Sequence, residues 1–475
     1  RGEAYYWQSK YANAIDDLNE AISLNNKKSE WYHWRGKSHD HNDEDEKAIE
    51  DFSQAINLNP AKEELYLDRA ESYEEIGEYD KAIKDYDRVI NLSKNPEGLL
   101  VKRGRLFLSL DKADKAFDDF NKASDSGESY CASEAIQERM YYYKKQGKNE
   151  QALKECDLWI EKDPESGWAY EQRAEIHLAL NQKEKAKHDW ECAVKVLTEN
   201  IKKNGEDTSS WLLESRGDNY HRLGKEKEAQ EDWKKASEFY LEDDEFNQTD
   251  LNTTIELTKK IKDKNFTERL FSEHLKKLDQ LIKNDEKNSK LLLRRGLCYE
   301  VIGDQKRAVA DWKAALALME ANPDHGSSDY FDQLETLYKK LDHKAGMKRI
   351  ARRNIEKYEK RIRFSPGNDS AYHYLGIEYR DNGESEKAVN AFSKAIDLKP
   401  RNGHYYWHRG QMKENENKFE EAISDYTKAL ELDNSYQHLI SLARTFQKLG
   451  NYDKAIEFAC RAIKMDAGEG AGFYW

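Results

Sequence analysis

Apolar residues along this chain fall into short stripes at helical spacing, and the stripes themselves repeat. Ala48, Ile49, Phe52, Ala55 and Ile56 follow one another at steps of one or three residues, which places them on one face of an α-helix. Prolines such as Pro60, Pro164 and Pro400 end such stripes, because proline lacks the amide needed to continue a helix. Gly77, Gly147, Gly224, Gly383 and Gly450 mark turns between helices. Small residues recur at Gly2, Gly36, Ala70 and Gly104, each 34 positions after the last. Twelve residues beyond each stands an alanine (Ala14, Ala48, Ala82, Ala116), four further on a large side chain (Leu18, Phe52, Tyr86, Phe120), and three beyond that Ala21, Ala55, Val89 or Ala123. Such a unit is two short antiparallel helices whose small residues let the backbones approach while the large side chain fills the gap beside them. Neither helix is stable alone, so the units must stack.

The block 372–400, YHYLGIEYRDNGESEKAVNAFSKAIDLKP, carries nearly every position of this pattern, and the sequence resembles the tetratricopeptide repeat family. Later anchors at Met140, Ala174, Gly217, Gly296, Gly376, Gly410 and Ala443 bring the count to about eleven repeats, with two divergent helix pairs between them. The resemblance implies an all-α fold, an α-solenoid in which antiparallel helix pairs wind into a right-handed superhelix. The expected organisation is a first array over 1–236, a divergent pair over 237–288, one repeat over 289–322, a divergent basic pair over 323–367, a second array over 368–467 and a flexible tail over 468–475. Signature alanines are missing near 237–288 and 316–368, where longer second helices are expected; helix pairs that persist and a break into separate arms are both open. Arg1 falls at the seventh position of a repeat and neither end supplies a polar cap, so further chain or a partner is expected beyond both ends.

Composition agrees with a thin core. With 38% hydrophobic and 36% charged residues, 475 residues hold too little apolar material for one large globular interior. Only six prolines and 24 glycines interrupt a chain rich in helix formers. The net charge of −14 argues against general nucleic-acid binding, which needs a basic face. Cys131, Cys156, Cys192, Cys298 and Cys460 are widely spaced and form no metal motif; reduced thiols point to the cytoplasm. No apolar run is long enough to span a bilayer.

No catalytic signature is present: there is no nucleophile elbow, no zinc-protease motif and no phosphate loop, and the glycines at 468, 470 and 472 follow no strand. The expectation is a non-enzymatic chain that needs no cofactor or metal. The run from Asp40 to Glu46 lacks the mid-loop glycine of a calcium loop, having Asp45 there, and is expected to be a solvated turn. His404 and His408 share a helix and His373 lies one repeat earlier, but no thiol or carboxylate completes a metal site.

Two binding surfaces stand out. The family resemblance assigns the concave face to positions 2, 5, 9 and 12 of each repeat, which here include Trp168, Glu171, Glu175, Leu178, Trp211, Glu214, Asp218 and His221. Aromatic anchors ringed by acids suit a peptide with a basic or neutral segment; inter-repeat packing of both tryptophans is the competing reading. The stretch 344–363 gathers Lys348, Arg349, Arg352, Arg353, Lys357, Lys360, Arg361 and Arg363 on a helix whose other face carries Met347, Ala351, Ile355, Tyr358 and Ile362. It either docks an anionic partner or is solvated or paired within the chain. Some family members hold chaperone tails through an asparagine directly after the small residue; Lys37, Arg105, Asp218, Leu297, Ile377 and Gln411 stand there instead, which speaks against that use. The expected function is a scaffold that binds partner proteins or peptides within an assembly; the alternative is the substrate-recruiting arm of a larger enzyme.

Overall fold

The computed structural model describes residues 1–125, 129–205, 209–242, 248–321 and 328–469; residues 470–475 of the expected tail lie outside them. These residues form 26 helices, from Gly2–Trp7 to Tyr452–Glu469, and no strand. Consecutive helices pair and the pairs stack into an α-solenoid. Ala14, Ala48, Ala82 and Ala116 have no exposed surface, and Phe52, Tyr86 and Phe120 are buried beside them. A Cβ on Gly36 would stand 2.6 Å from the Phe52 ring, so the approach of the two helices there requires glycine.

A polar ladder runs through the stack. In most repeats an arginine directly precedes the small residue and forks onto an aspartate 16 residues later, as Arg69 does on Asp85 with two bonds of 2.8 Å. Its remaining nitrogen reaches back 16 residues into the preceding repeat, to the Ser53 hydroxyl at 3.0 Å. Arg35, Arg103, Arg173, Arg295 and Arg409 repeat the arrangement. Each guanidinium thus ties both helices of its own pair to the pair before it, with the bidentate geometry that only arginine offers. The ladder lapses before Gly376 and Ala443, where Leu375 and Leu442 replace the arginine.

The middle of the chain is built differently. The helix Gln248–Ile261 packs along its predecessor Glu226–Glu242 but not along the helix that follows it, Lys264–Asn284. In the register of the intact repeats Phe271 keeps the place of the large side chain, but Ile255, 16 residues before it, and the buried His274, three after it, stand where small residues let the helices approach. Long second helices occur here as expected: Lys264–Asn284 and Lys344–Phe364 have 21 residues each, against 14 in Asp45–Leu58. One continuous apolar cluster, from Leu213 to Ile350, fills the region.

The solenoid meets itself. Arg361 bonds to Asp45, Asn368 to the Ile76 carbonyl and Lys399 to the Ser109 carbonyl, across separations of 316, 292 and 290 residues. In helix order, the second pair meets the tenth, and the third and fourth meet the junctions after the tenth and eleventh. A superhelical turn therefore closes after about eight pairs, and one turn abuts the next.

Candidate interaction surfaces

The expected groove residues lie on two successive first helices, Gly167–Ala179 and Ser210–Arg222. Trp168 is 43% and Trp211 56% exposed, so neither is consumed by packing between repeats. Trp168 stands edge-on to the buried Trp159 at 5.5 Å, which fixes its ring while leaving a face open. Tyr141, from the preceding first helix, lies 6.4 Å from Trp168 and is itself exposed. Leu178, ten residues further along the helix of Trp168, is partly buried.

The acids of the groove are occupied. Glu171 is buried and accepts bonds from Ser215 at 2.5 Å and Asn219 at 2.7 Å, tying one first helix to the next. Burial pushes its carboxyl pKa up, against the pull of those two bonds. Glu175 accepts from Lys144 at 2.7 Å and faces Arg222 at 3.7 Å. Glu214 accepts from the Tyr240 hydroxyl at 3.0 Å. Asp218 takes the Trp233 indole at 2.8 Å and Lys260 at 2.9 Å. His221 is 2.8 Å from Glu226 and 5.5 Å from the Trp233 ring. The tryptophans thus sit among ion pairs already satisfied within the chain, and the apolar rings are what the groove leaves unspent.

Beyond Lys260 the first helices open onto a cavity of about 1220 Å³, between Gln248–Ile261, Ser289–Val301 and Ser328–Lys340. Its wall mixes Ile255, Leu293 and Leu297 with Thr258, Thr336 and Arg294. Arg294 is 3% exposed and its Nε donates to His274 Nε2 at 3.2 Å. Burial and then the guanidinium charge push the His274 pKa down to about 4, so the ring is neutral and can accept that bond.

The basic helix Lys344–Phe364 meets the turn expected to be solvated. Arg353 and Lys357 face Asp43 at 3.6 and 3.2 Å, Lys360 faces Glu46 at 3.2 Å, and Arg361 bonds to Asp45. The expectation for that turn is corrected: Asp45 is 7% and Glu46 8% exposed, because the next superhelical turn covers them. Of the other cations, Arg349 is spent on Tyr338 and Glu320, while Lys348 and Arg352 are exposed.

Tetratricopeptide repeat models match residues 30–62, 63–96, 375–437 and 439–469. The chain carries tetratricopeptide repeats. No curated protein matches this tetratricopeptide array. Among solved structures, yeast Tom70 is 18% identical over 91% of each chain, with a TM-score of 0.33. Cut9–Hcn1 of the APC/C is 13% identical over 98% of this chain and 86% of that one, at 0.33. YrrB, described as a TPR protein with an unusual peptide-binding site, is 18% identical over 38% of this chain and 91% of its own, at 0.30. At such scores none of these likenesses bears on what this chain binds.

Two histidine groups remain in the tetratricopeptide array. His373 and His408 stand 4.9 Å apart, and burial, with neighbouring positive groups, pushes their pKa values down to about 4 and about 3. His404 is exposed. Among the described residues one cluster has ligand atoms close enough for a metal, His33, Glu64 and Asp68. There His33 bonds to Asp68 at 2.5 Å, while Lys37 lies 3.2 Å from Glu64 and Lys62 lies 3.2 Å from His33; two ammonium groups already balance the carboxylates. The ladder arginines were legible as Arg before the small residue and Asp 16 later. The Arg294–His274 contact and the seam at Asp45 carry no local signal.

Proposed function

We propose that this chain is a protein-interaction scaffold that holds an extended segment of a partner along its concave face, from Tyr141 past Trp168 and Trp211 toward the cavity beside Arg294, without chemical turnover. The observation that carries the reading is the exposure of both tryptophans, 43% and 56%, on rigid successive helices. Exposed aromatic rings on a fixed frame give large contact area at little entropic cost, the usual make-up of a binding hot spot. Because Glu175, Glu214 and Asp218 already meet cations or donors, the favoured segment is neutral with apolar side chains, rather than strongly basic. Among the described residues no helix is long and apolar enough to cross a membrane.

A photo-reactive phenylalanine at position 211 tests the reading in native extract. It should crosslink one defined partner segment, and the same probe at the exposed Lys187 on a second helix should not. Equal labelling from both positions would overturn the groove as the binding face.

A further inference from the structure

The seam between superhelical turns joins two segments of opposite charge. Along Lys344–Phe364, Arg353, Lys357, Lys360 and Arg361 are spaced four, three and one residues apart, which brings them to one helix face. Against that face lies the turn between the helices Ser29–Asp40 and Asp45–Leu58. Asp43 answers Arg353 and Lys357, Glu46 answers Lys360, and Asp45 answers Arg361, so each cation on the face has a carboxylate. The contact excludes water at its centre, where Asp45, Glu46, Ser365 and Asn368 are all under 10% exposed. Beside it Asn368 seats on Gly77, whose φ of +74 leaves no room for a side chain: a Cβ there would stand 2.8 Å from the Asn368 amide.

We propose that the basic face of Lys344–Phe364 is a docking surface for an acidic peptide, that the chain's own turn around Asp43–Glu46 occupies it and clasps the two superhelical turns together, and that an acidic segment of a partner displaces the turn and opens the seam. The occupant is an acidic peptide because the structure shows one in place: a short loop of three carboxylates matched to four cations at helical spacing. A binding site filled by a tethered copy of its ligand is weak toward free ligand, since the tethered segment acts at a high effective concentration. The clasp is therefore also the regulator of the surface. This inference stands on the seam alone and does not depend on the concave-face reading.

The test uses the full chain with dyes placed through unnatural residues at the exposed Lys47 and Arg363. Energy transfer should be high in the wild type and fall in a variant carrying Asp43→Asn, Asp45→Asn and Glu46→Gln, with helix content by circular dichroism unchanged. A synthetic peptide of residues 38–48 should bind this variant at least tenfold more tightly than it binds the wild type, and a peptide with its acids replaced by amides should bind neither. The charge swap Asp45→Arg with Arg361→Asp should restore the energy transfer lost in Asp45→Arg alone. Low transfer in the wild type, or equal peptide affinity for wild type and triple variant, would overturn the proposal. Binding of phosphatidylserine vesicles or RNA by the variant without binding of the acidic peptide would also overturn it, assigning the face to another class of partner.

Discussion

Arg103 offers a sharp test of the polar ladder. Its Nε and Nη2 reach Asp119 at 2.8 and 2.6 Å, and its Nη1 reaches Asp87 of the preceding repeat at 2.5 Å. Asp119 is 2% exposed, so Arg103→Met would leave a carboxylate buried without its counter-charge. Breaking a buried ion pair by removing one partner costs about 3–5 kcal/mol, and because the arginine side chain is 15% exposed the lower end applies, about 3 kcal/mol. In a solenoid such a loss falls on the repeat concerned and its neighbours. The assay is native-state hydrogen exchange of amides in Glu97–Ser109 and Ala113–Ser124. A loss of that size speeds exchange through local opening by about a hundredfold, while amides in Gly403–Asn415 should be unaffected. The double variant Arg103→Met with Asp119→Leu should recover most of the loss, because no charge is then stranded. Exchange faster by less than about threefold, or a double variant as unstable as the single, would refute the reasoning.

Other outcomes follow from the same structure. Gly36→Val places a Cβ 2.6 Å from the Phe52 ring and should cost about 1–3 kcal/mol, read as a lower urea midpoint. Gly77→Val should open the seam without touching its charges, read as a larger radius of gyration in solution scattering, since both the φ of +74 and the Asn368 amide oppose a side chain. His274, His373 and His408 have pKa values depressed below the ordinary histidine value, so the folded chain resists protons that the unfolded chain accepts. Their contribution is complete above pH of about 6.5 and is lost as pH falls toward 4, by up to about 1.4 kcal/mol per pH unit for each ring. Melting temperatures should drop between pH 7 and 5, and His408→Gln should flatten the drop.

The repeat was legible in the sequence because it is written locally. Gly36 and Phe52, or Gly376 and Phe392, lie 16 residues apart and meet in every intact repeat, so periodicity alone finds the helix pairs and their core. Trp168 and Trp211 could be placed on the groove by repeat position, but the pairing of Glu175 with Lys144 or Asp218 with Lys260 depends on which side chains neighbouring repeats contribute. The seam was out of reach for another reason. Asp45 and Arg361 stand 316 residues apart, and their meeting depends on the superhelical pitch summed over the whole array. An acidic turn and a basic helix were each visible as charge runs; that each is the other's partner was not. The cavity likewise lies where the repeat pattern fades, among first helices whose wall includes Ile255, 16 residues before Phe271 where an intact repeat carries a small residue.

The central claim is that exposed aromatic rings on the concave face anchor a partner. Its most direct test is calorimetric titration of the crosslinked partner segment, made as a synthetic peptide, into the wild type and into the variant Trp168→Ala with Trp211→Ala. Neither ring is part of the buried core, so the variant should stay folded. Loss of hot-spot residues is worth about 2 kcal/mol or more, so affinity should fall by at least about thirtyfold. Equal affinity for both proteins, with the fold intact, would contradict the account.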